Sequence, residues 1–236
     1  MATLPPPWLG IAAAASTAPS KVTIEMVADV VCPYCHIGLN RLTRALEASG
    51  TYAAMVDVRY TPFILRRHLP KEGVAKRDVF EQQFGDPSRG DRMLAQVVDT
   101  AAEDGLNFDL TGQRAGNSED AHRLLLWADS VDRNSTLTLF ESMARAYNQE
   151  RGWLGDHMIL RRAVERSGLS VSAADTVLAE PSAFATELEA GLERARALGV
   201  TGVPAFFVNG QLLGTGALSE GALRSVIEHT CAALEQ

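Results

Sequence analysis

Two cysteines separated by two residues, Cys32 and Cys35, are the side chains of this sequence best suited to chemistry. A strand-like run over 22–31 precedes them and an apolar stripe at helical spacing follows, so the pair falls where a strand ends and a helix begins. The first amides of a helix have no intrahelical partner and carry partial positive charge, which lowers the pKa of a thiol there. Pro33 suits the first turn because its missing N–H is not needed there. We therefore expect Cys32 to attack as a thiolate and Cys35 to resolve the resulting bond.

Three other uses of the same residues compete with this interpretation. A structural zinc site needs four ligands, commonly two such pairs, and Cys231 is the one remaining cysteine. His36 completes a Cys-x-x-Cys-His pattern of c-type haem attachment, although a preceding strand is unusual for the mostly helical haem domains. Two inert core cysteines are the third reading, and a proline between them at a helix start argues against it. The motif alone leaves these alternatives open.

The elements that must position the pair begin as a β-α-β unit, the arrangement that builds parallel sheets. After the strand at 22–31 and its helix, Gly50 is a plausible helix stop and the alternating run 54–60 predicts a second strand. From about 77 to 197 the sequence predicts successive helices and no strand. The predicted helices are 89–102, 118–130, 136–150, 156–167, 173–178 and 183–198.

Strand signals return near the end of the chain. Residues 205–209 predict a strand, Asn209-Gly210 a hairpin turn, and 211–214 a short return strand. Ser219 is the expected cap of a last helix that reaches residue 234. The segment Thr201-Gly-Val-Pro204 comes directly before this hairpin, and a proline at a strand start is structurally allowed, so the segment by itself indicates little.

A Cys-x-x-Cys after the first strand together with a Gly-x-Pro before a late hairpin resembles the thioredoxin superfamily, from about Lys21 to the C-terminus. The long helical insertion is similar to that of the DsbA family, within it the FrnE-like branch that includes the 2-hydroxychromene-2-carboxylate isomerases. The stretches that carry this resemblance are 29–38 (DVVCPYCHIG), 60–63 (YTPF), 117–124 (NSEDAHRL) and 199–208 (GVTGVPAFFV).

The resemblance implies an α/β fold class: a thioredoxin fold, with a mixed sheet and flanking helices, that carries a large all-helical insertion. The chain then divides into a flexible tail (1–20), a first thioredoxin part (21–76), the insertion (77–183) and a second thioredoxin part (184–236). It also implies a cis Val203–Pro204 bond beside the cysteines and main-chain pairing of Val203 with substrate. The implied catalytic residues are Cys32, Cys35 and Pro204, and the substrate-binding candidates are Val203, Pro33, Tyr34, His36, Phe63 and His122.

Several of these candidates also have an ordinary structural reading. His36 as an imidazolium would lower the pKa of the attacking thiol, or it is a plain helix histidine. Asp29 could be a base in thiol chemistry, but we read it as a strand-end polar residue. Phe63 alone would read as core, and His122 as a solvated helix residue. Cys231 is expected to be a passive thiol.

The sequence also departs from the branch it resembles. Members often carry Trp where Tyr34 stands and an aromatic residue where His36 stands. Some have a second cysteine pair near the C-terminus, whereas Cys231 stands alone, which argues against a two-centre redox relay. The isomerases have serine at the position of Cys32 and use glutathione, so Cys32 favours redox chemistry.

The function expected from these residues is thiol–disulfide exchange with protein or small-molecule thiols and disulfides, without a metal or cofactor and with glutathione as a candidate co-substrate. The alternatives are a glutathione-dependent isomerase or transferase, and a non-enzymatic metal- or haem-binding protein. A net charge of −7 with scattered basic residues argues against nucleic-acid binding and against a basic membrane-surface helix. No apolar run approaches the roughly 20 residues that span a membrane. We expect a cytoplasmic monomer or homodimer, with organelle import and secretion as alternatives.

Overall fold

The computed structural model describes residues 21–235, and the predicted tail at 1–20 lies outside this range. Four strands form one mixed sheet in the order β2-β1-β5-β6. The strands are β1 (Val22–Ala28), β2 (Val56–Pro62), β5 (Ala205–Val208) and β6 (Gln211–Thr215). β1 runs parallel to β2 and antiparallel to β5, and β5 pairs antiparallel with β6. The mixed sheet is therefore as predicted, and β1 lies at its centre.

Helix α1 (Pro33–Ala48) makes the crossover between the two parallel strands. It ends at Ser49, and Gly50 follows with φ +58°, a conformation that suits glycine. Residues Gly50–Met55 form a 3₁₀ helix, so the second strand starts two residues later than the predicted 54 and extends to Pro62.

The region between the two halves of the sheet is mainly helical, with bounds close to the predicted ones. It also contains two elements that the sequence did not predict. The first is helix α2 (Lys76–Phe84), a nine-residue helix whose apolar residues are Val79, Phe80 and Phe84, too few to form a clear apolar stripe in the sequence. The second is a two-stranded ribbon, β3 (Val74–Ala75) with β4 (Arg114–Ala115), which makes the prediction of no strand between 77 and 197 wrong. The remaining helices are α3 (Pro87–Glu103), α4 (Glu119–Val131), α5 (Arg133–Asn148), α6 (His157–Arg166), α7 (Val171–Ala179), α8 (Ala185–Ala197) and α9 (Glu220–Leu234).

Alternation along β1 and β5 assigns each side chain to one of two layers. Ile24, Met26 and Phe206 face the main core, which also takes in buried residues of α1, α4, α5 and α9. Val27 and Phe207 point the other way, into a smaller cluster beneath α8. The main core contains side chains from both halves of the sheet and from the helices between them. The two halves and the inserted helices therefore share one hydrophobic interior. No helix within 21–235 is long and apolar enough to cross a membrane.

A buried acid on the α8 side of the sheet depends on one arginine. Glu25 is 3 % exposed, and Arg194 of α8 binds both of its carboxylate oxygens at 2.6 Å. Thr61 donates a further hydrogen bond at 2.6 Å. Burial opposes ionisation, but the bonds from Arg194 and Thr61 outweigh it and lower the pKa of Glu25.

We predict that Arg194→Met lowers the free energy of unfolding at pH 7 by about 2 kcal/mol. This is less than the 3–5 kcal/mol typical of a fully buried pair, because Arg194 is half exposed. Because the pair lowers the pKa of Glu25 in the folded state, its stabilisation is present above the unfolded pKa of about 4.3 and is lost as pH falls through the folded value.

Urea unfolding of the wild type and of Arg194→Met at pH 7 and pH 3 measures the difference in their free energies of unfolding. Arg196→Met is the matched control, since Arg196 binds the exposed Glu193 and should change stability by less than about 0.5 kcal/mol. If Arg194→Met and Arg196→Met lowered the free energy of unfolding equally at pH 7, a stabilising role of the Arg194–Glu25 pair would be contradicted.

Candidate active site

Cys32 is the N-cap of α1, at the end of the short turn that follows β1. Its amide donates to the carbonyl of Asp29 at 3.0 Å, and its own carbonyl accepts from the amides of Cys35 and His36 at 3.0 and 3.2 Å. Pro33 occupies the first helical position, as expected of a residue without an N–H. The sequence therefore placed the pair correctly at a strand-to-helix junction, at the positive end of the α1 dipole.

The two cysteines are free thiols in different surroundings. Cys32 is 6 % exposed, whereas Cys35 is fully buried. A hydrogen bond from the Cys35 thiol, aided by the backbone amides of Cys35 and Tyr34, lowers the pKa of Cys32 against opposition from burial and from Asp29. Burial, followed by the neighbouring Cys32 sulfur, raises the pKa of Cys35 well above its ordinary value. This asymmetry suits an outer nucleophile and an inner thiol that stays protonated until it is needed.

The Val203–Pro204 bond is cis, as the resemblance implied. The carbonyl oxygen of Val203 lies 3.7 Å from the Cys32 sulfur, although 171 residues separate the two in sequence. Pro204 is buried, and its carbonyl accepts from the amide of Gly216 at 2.7 Å. Gly38 of α1 permits this approach, because a Cβ atom there would lie 3.2 Å from the Pro204 ring. The late loop and the cysteine pair therefore form one site.

Asp29 is fully buried behind the cysteines, where its carboxylate accepts four hydrogen bonds. One oxygen accepts from the Val31 amide at 3.2 Å, the Ser118 hydroxyl at 3.0 Å and His122 Nε2 at 3.1 Å. The other accepts from the Leu65 amide at 2.8 Å. A carboxylate has about four lone-pair positions, so its hydrogen-bonding capacity is filled. Asp29 therefore lies near a strand end, as the sequence suggested, but it is also the buried acceptor of four hydrogen bonds.

His122 is fully buried between Asp29 and Tyr60. Burial raises the pKa of Tyr60 well above its ordinary value, so its hydroxyl keeps the proton and donates it in a hydrogen bond to Nδ1 of His122. With its proton on Nε2, the His122 ring donates to Asp29 and accepts from Tyr60. Both ring nitrogens are therefore occupied inside the protein, which leaves neither free for the substrate contact expected of His122.

His36 is also buried and points away from the sulfur of Cys32. Its Nε2 lies 3.1 Å from Glu141, its Nδ1 lies 3.5 Å from the amide of Asn148, and its ring stacks on Phe108. The contacts of His36 are those of a packed helix residue. Within residues 21–235, no three His, Cys, Asp or Glu side chains are grouped as a metal ion would require.

A cavity of about 170 Å³ opens beside Pro33 and Tyr34 and reaches the side chains of Arg66 and Lys76. Phe63 was expected at such a wall, but it packs on the other face of the sheet, in the cluster of Val27 and Phe207. A larger cavity of about 630 Å³ lies on the far side of Lys76 and is lined by none of the predicted site residues.

Sequence reasoning missed two parts of this region. Ser118 and Tyr60 belong to stretches that supported the resemblance, yet nothing in their types indicated that they complete the surroundings of Asp29 and His122. Lys76 lies at the start of the unpredicted helix α2, where no periodic signal drew attention to it. The Asp-x-x-Cys spacing from Asp29 was the one signal available, and it predicted a strand-end polar residue.

The fold and the site together define the class of the protein. Residues 23–228 match the family described as DSBA-like thioredoxin domain, and the chain belongs to that family. The structure is similar to a probable DsbA oxidoreductase from Streptomyces coelicolor, at 25 % identity and TM-score 0.80, over 90 % of each chain. It also resembles a 2-hydroxychromene-2-carboxylate isomerase (15 % identity, TM-score 0.66, 89 % of this chain and 97 % of the other). A third neighbour is the cytosolic disulfide reductase DsbM from Pseudomonas aeruginosa with glutathione (19 % identity, TM-score 0.59, 90 % and 97 %). No curated protein sequence matches the chain.

We predict that Asp29→Asn shifts the pH profile of Cys32 alkylation by iodoacetamide to lower pH. The buried negative charge of Asp29 raises the pKa of Cys32, so its removal should lower that pKa. The variant should also lose about 1–3 kcal/mol of stability, because an amide group cannot accept at all four donor positions. Asp175→Asn, at a half-exposed ion pair with Arg161, is the control. An unchanged or upward-shifted profile would argue against an electrostatic role for Asp29.

Proposed function

We propose that this protein is a thiol–disulfide oxidoreductase in which Cys32 attacks and Cys35 resolves. The observation that carries the proposal is the position of Cys32 at the N-terminus of α1, with the fully buried Cys35 in the first turn and the Val203 carbonyl 3.7 Å from the Cys32 sulfur. The lowered pKa of Cys32 and the raised pKa of Cys35 agree with these roles. In one direction, the Cys32 thiolate attacks a substrate disulfide and releases one substrate thiolate. Cys35 then loses its proton and attacks Cys32, which forms the Cys32–Cys35 disulfide and releases the second thiolate. Two electrons pass from the protein to the substrate, and the reverse sequence makes the protein a disulfide donor.

The Val203 carbonyl beside Cys32 supports a role in holding substrate. An extended segment that pairs with the main chain at Val203 would present its sulfur to Cys32, a form of β-augmentation. Pro33 and Tyr34, at the wall of the neighbouring cavity, would contact the other side of the substrate. We propose protein or small-molecule thiols and disulfides as partners and glutathione as a co-substrate, in line with the glutathione named for DsbM. The cytoplasm remains our expectation for its location, and monomer or homodimer for its assembly.

We predict that Cys32→Ser abolishes both insulin reduction and refolding of a scrambled disulfide protein. Cys35→Ser should instead accumulate a mixed disulfide on Cys32, because the resolving thiol is absent, and mass spectrometry would detect the adduct. Cys231→Ser is the matched control: Cys231 is buried in α9 with its sulfur 3.8 Å from the carbonyl of Tyr52, and its loss should leave activity unchanged. A fully active Cys32→Ser protein would overturn the proposal.

The reduction potential of the pair gives the direction of net electron flow. A value near roughly −120 mV is that of a disulfide donor, and one near roughly −270 mV is that of a reductant. Equilibration of the pair with glutathione redox buffers, followed by alkylation and mass measurement, determines the potential.

The apolar cavity beside Tyr34 favours one second candidate, a glutathione-dependent isomerase or transferase that acts on an aromatic metabolite. That chemistry would use glutathione as the nucleophile and would not need Cys35. Tight glutathione binding without dithiol turnover, and retained activity in Cys35→Ser, would support this candidate over the first.

A further inference from the structure

The cavity beside the cysteine pair has the size and lining of a site for one ring. Its volume is about 170 Å³, and its walls include Tyr34, Phe80, Val97 and Tyr147. An apolar cavity of about 150 Å³ is large enough for benzene. Leu65 and Met93, which are 44 % and 42 % exposed, also line it, so apolar surface continues to the opening. The cavity is therefore suited to an apolar, ring-sized group that enters from solvent.

Two cations in this cavity lack an acidic partner. Lys76 is 8 % exposed, and its Nζ donates to Gln113 at 2.7 Å and lies 5.4 Å from the centre of the Tyr147 ring. Among the described residues, no carboxylate oxygen lies within 4 Å of the charged nitrogens of Lys76 or Arg66, whereas many other arginines are paired. Burial lowers the pKa of Lys76 to about 8; the charge of the Cys32 thiolate opposes this shift, and the charge of Arg66 adds a smaller contribution to it. A buried ammonium is costly unless an anion compensates it.

We propose that this cavity recognises low-molecular-weight thiols or disulfides that carry a carboxylate on a ring-sized apolar body. Lys76 and Arg66 bind the carboxylate, the aromatic and aliphatic walls hold the ring, and the sulfur lies towards Cys32 at the Pro33–Tyr34 end. This proposal rests on the proposed function, since it names the substrate class of the same dithiol. The net reaction is protein dithiol plus substrate disulfide to protein disulfide plus two substrate thiols.

The net charge of the protein distinguishes a local site for anions from long-range electrostatic attraction. The net charge is −7, so long-range forces repel an anionic substrate. A preference for the anion must therefore come from local cations. Because charge-assisted hydrogen bonds to a carboxylate are strong, we expect at least about a tenfold preference at low ionic strength.

The first experiment compares two aromatic disulfides on the reduced full-length protein at pH 7. One is the dianionic 5,5′-dithiobis(2-nitrobenzoate), and the other is the neutral 4,4′-dithiodipyridine. Stopped-flow absorbance gives the rate constant for the first attack by Cys32. Lys76→Met should lower the ratio of the rate constant for the dianionic reagent to that for the neutral reagent at least about tenfold. The ratio cancels any effect of Lys76 on Cys32 itself, because both reagents meet the same thiolate.

Two further variants control this measurement. Lys21→Met removes an exposed lysine just before β1 and should leave the ratio unchanged. Arg66→Met removes the second cation from a partly exposed position, so it carries the test if Lys76→Met does not fold. A ratio that neither Lys76→Met nor Arg66→Met lowers would overturn the proposal.

An equilibrium measurement separates failure of the site from failure of the proposed function. Calorimetric titration with 4-nitrobenzoate and its neutral analogue 4-nitrobenzamide requires no reaction at Cys32. We expect the benzoate to bind at least about fivefold more tightly, and Lys76→Met or Arg66→Met to remove the difference. Preference for the benzoate without disulfide turnover would support the site and refute the redox function. Turnover of both disulfides with equal binding of the two analogues would refute the site and leave the redox function standing.

Discussion

The buried carboxylate of Asp29 is the interaction on which the geometry of the site depends. Ionised groups are costly to bury, and this one is tolerated because four donors surround it. The donors come from separate parts of the chain: Val31 after β1, Leu65 after β2, and Ser118 and His122 at the start of α4. Satisfying one charge therefore holds the segments after the C-terminal ends of β1 and β2 and the first turn of α4 at a single point. The cysteine pair begins three residues from that point.

The charge of the same carboxylate opposes the formation of a thiolate at either cysteine. Asp29 raises the pKa of both thiols, whereas the amides at the start of α1 and the Cys35 thiol favour a thiolate on Cys32. Cys32, at the helix end, receives most of this stabilisation, and Cys35, fully buried, receives little of it. The difference between the two thiols thus follows from the hydrogen bond that the Cys35 thiol donates to Cys32, from the full burial of Cys35, and from the backbone amides at the start of α1.

Cys32 has two different surfaces on its two sides. On one side lies the main-chain carbonyl of Val203, which presents a polar atom without sequence preference. On the other lies the small cavity beyond Pro33 and Tyr34, whose aromatic walls and two cations without an acidic partner among the described residues would select for shape and charge. The first surface suits any extended chain, and the second suits a particular small group. The balance between them would decide which thiols and disulfides the pair meets productively.

The sequence by itself determined those features that depend on local order along the chain. The Cys-x-x-Cys spacing, Pro33 at a helix start, the Asn209-Gly210 turn and the helical periods at 118–130 and 156–167 are local signals, and the structure has each of them at nearly the predicted residues. The Val203–Pro204 loop was found through its resemblance to a known pattern, and its cis bond agrees. Helix α2 was missed because its polar surface leaves almost no apolar period, and its first residue Lys76 was missed with it.

Only the tertiary structure decided how residues distant in sequence are combined. Asp29, Tyr60 and His122 lie on three segments, and no local pattern shows that one buried charge joins them. His36 is adjacent to Cys35, yet it turns towards Glu141 and Phe108, because a helix sends neighbouring side chains in different directions. Phe63 packs on the opposite face of the sheet for a similar reason, since successive residues along an extended chain alternate between faces. Spacing along the chain specifies backbone geometry, whereas burial and charge compensation depend on which other segments fold against each residue.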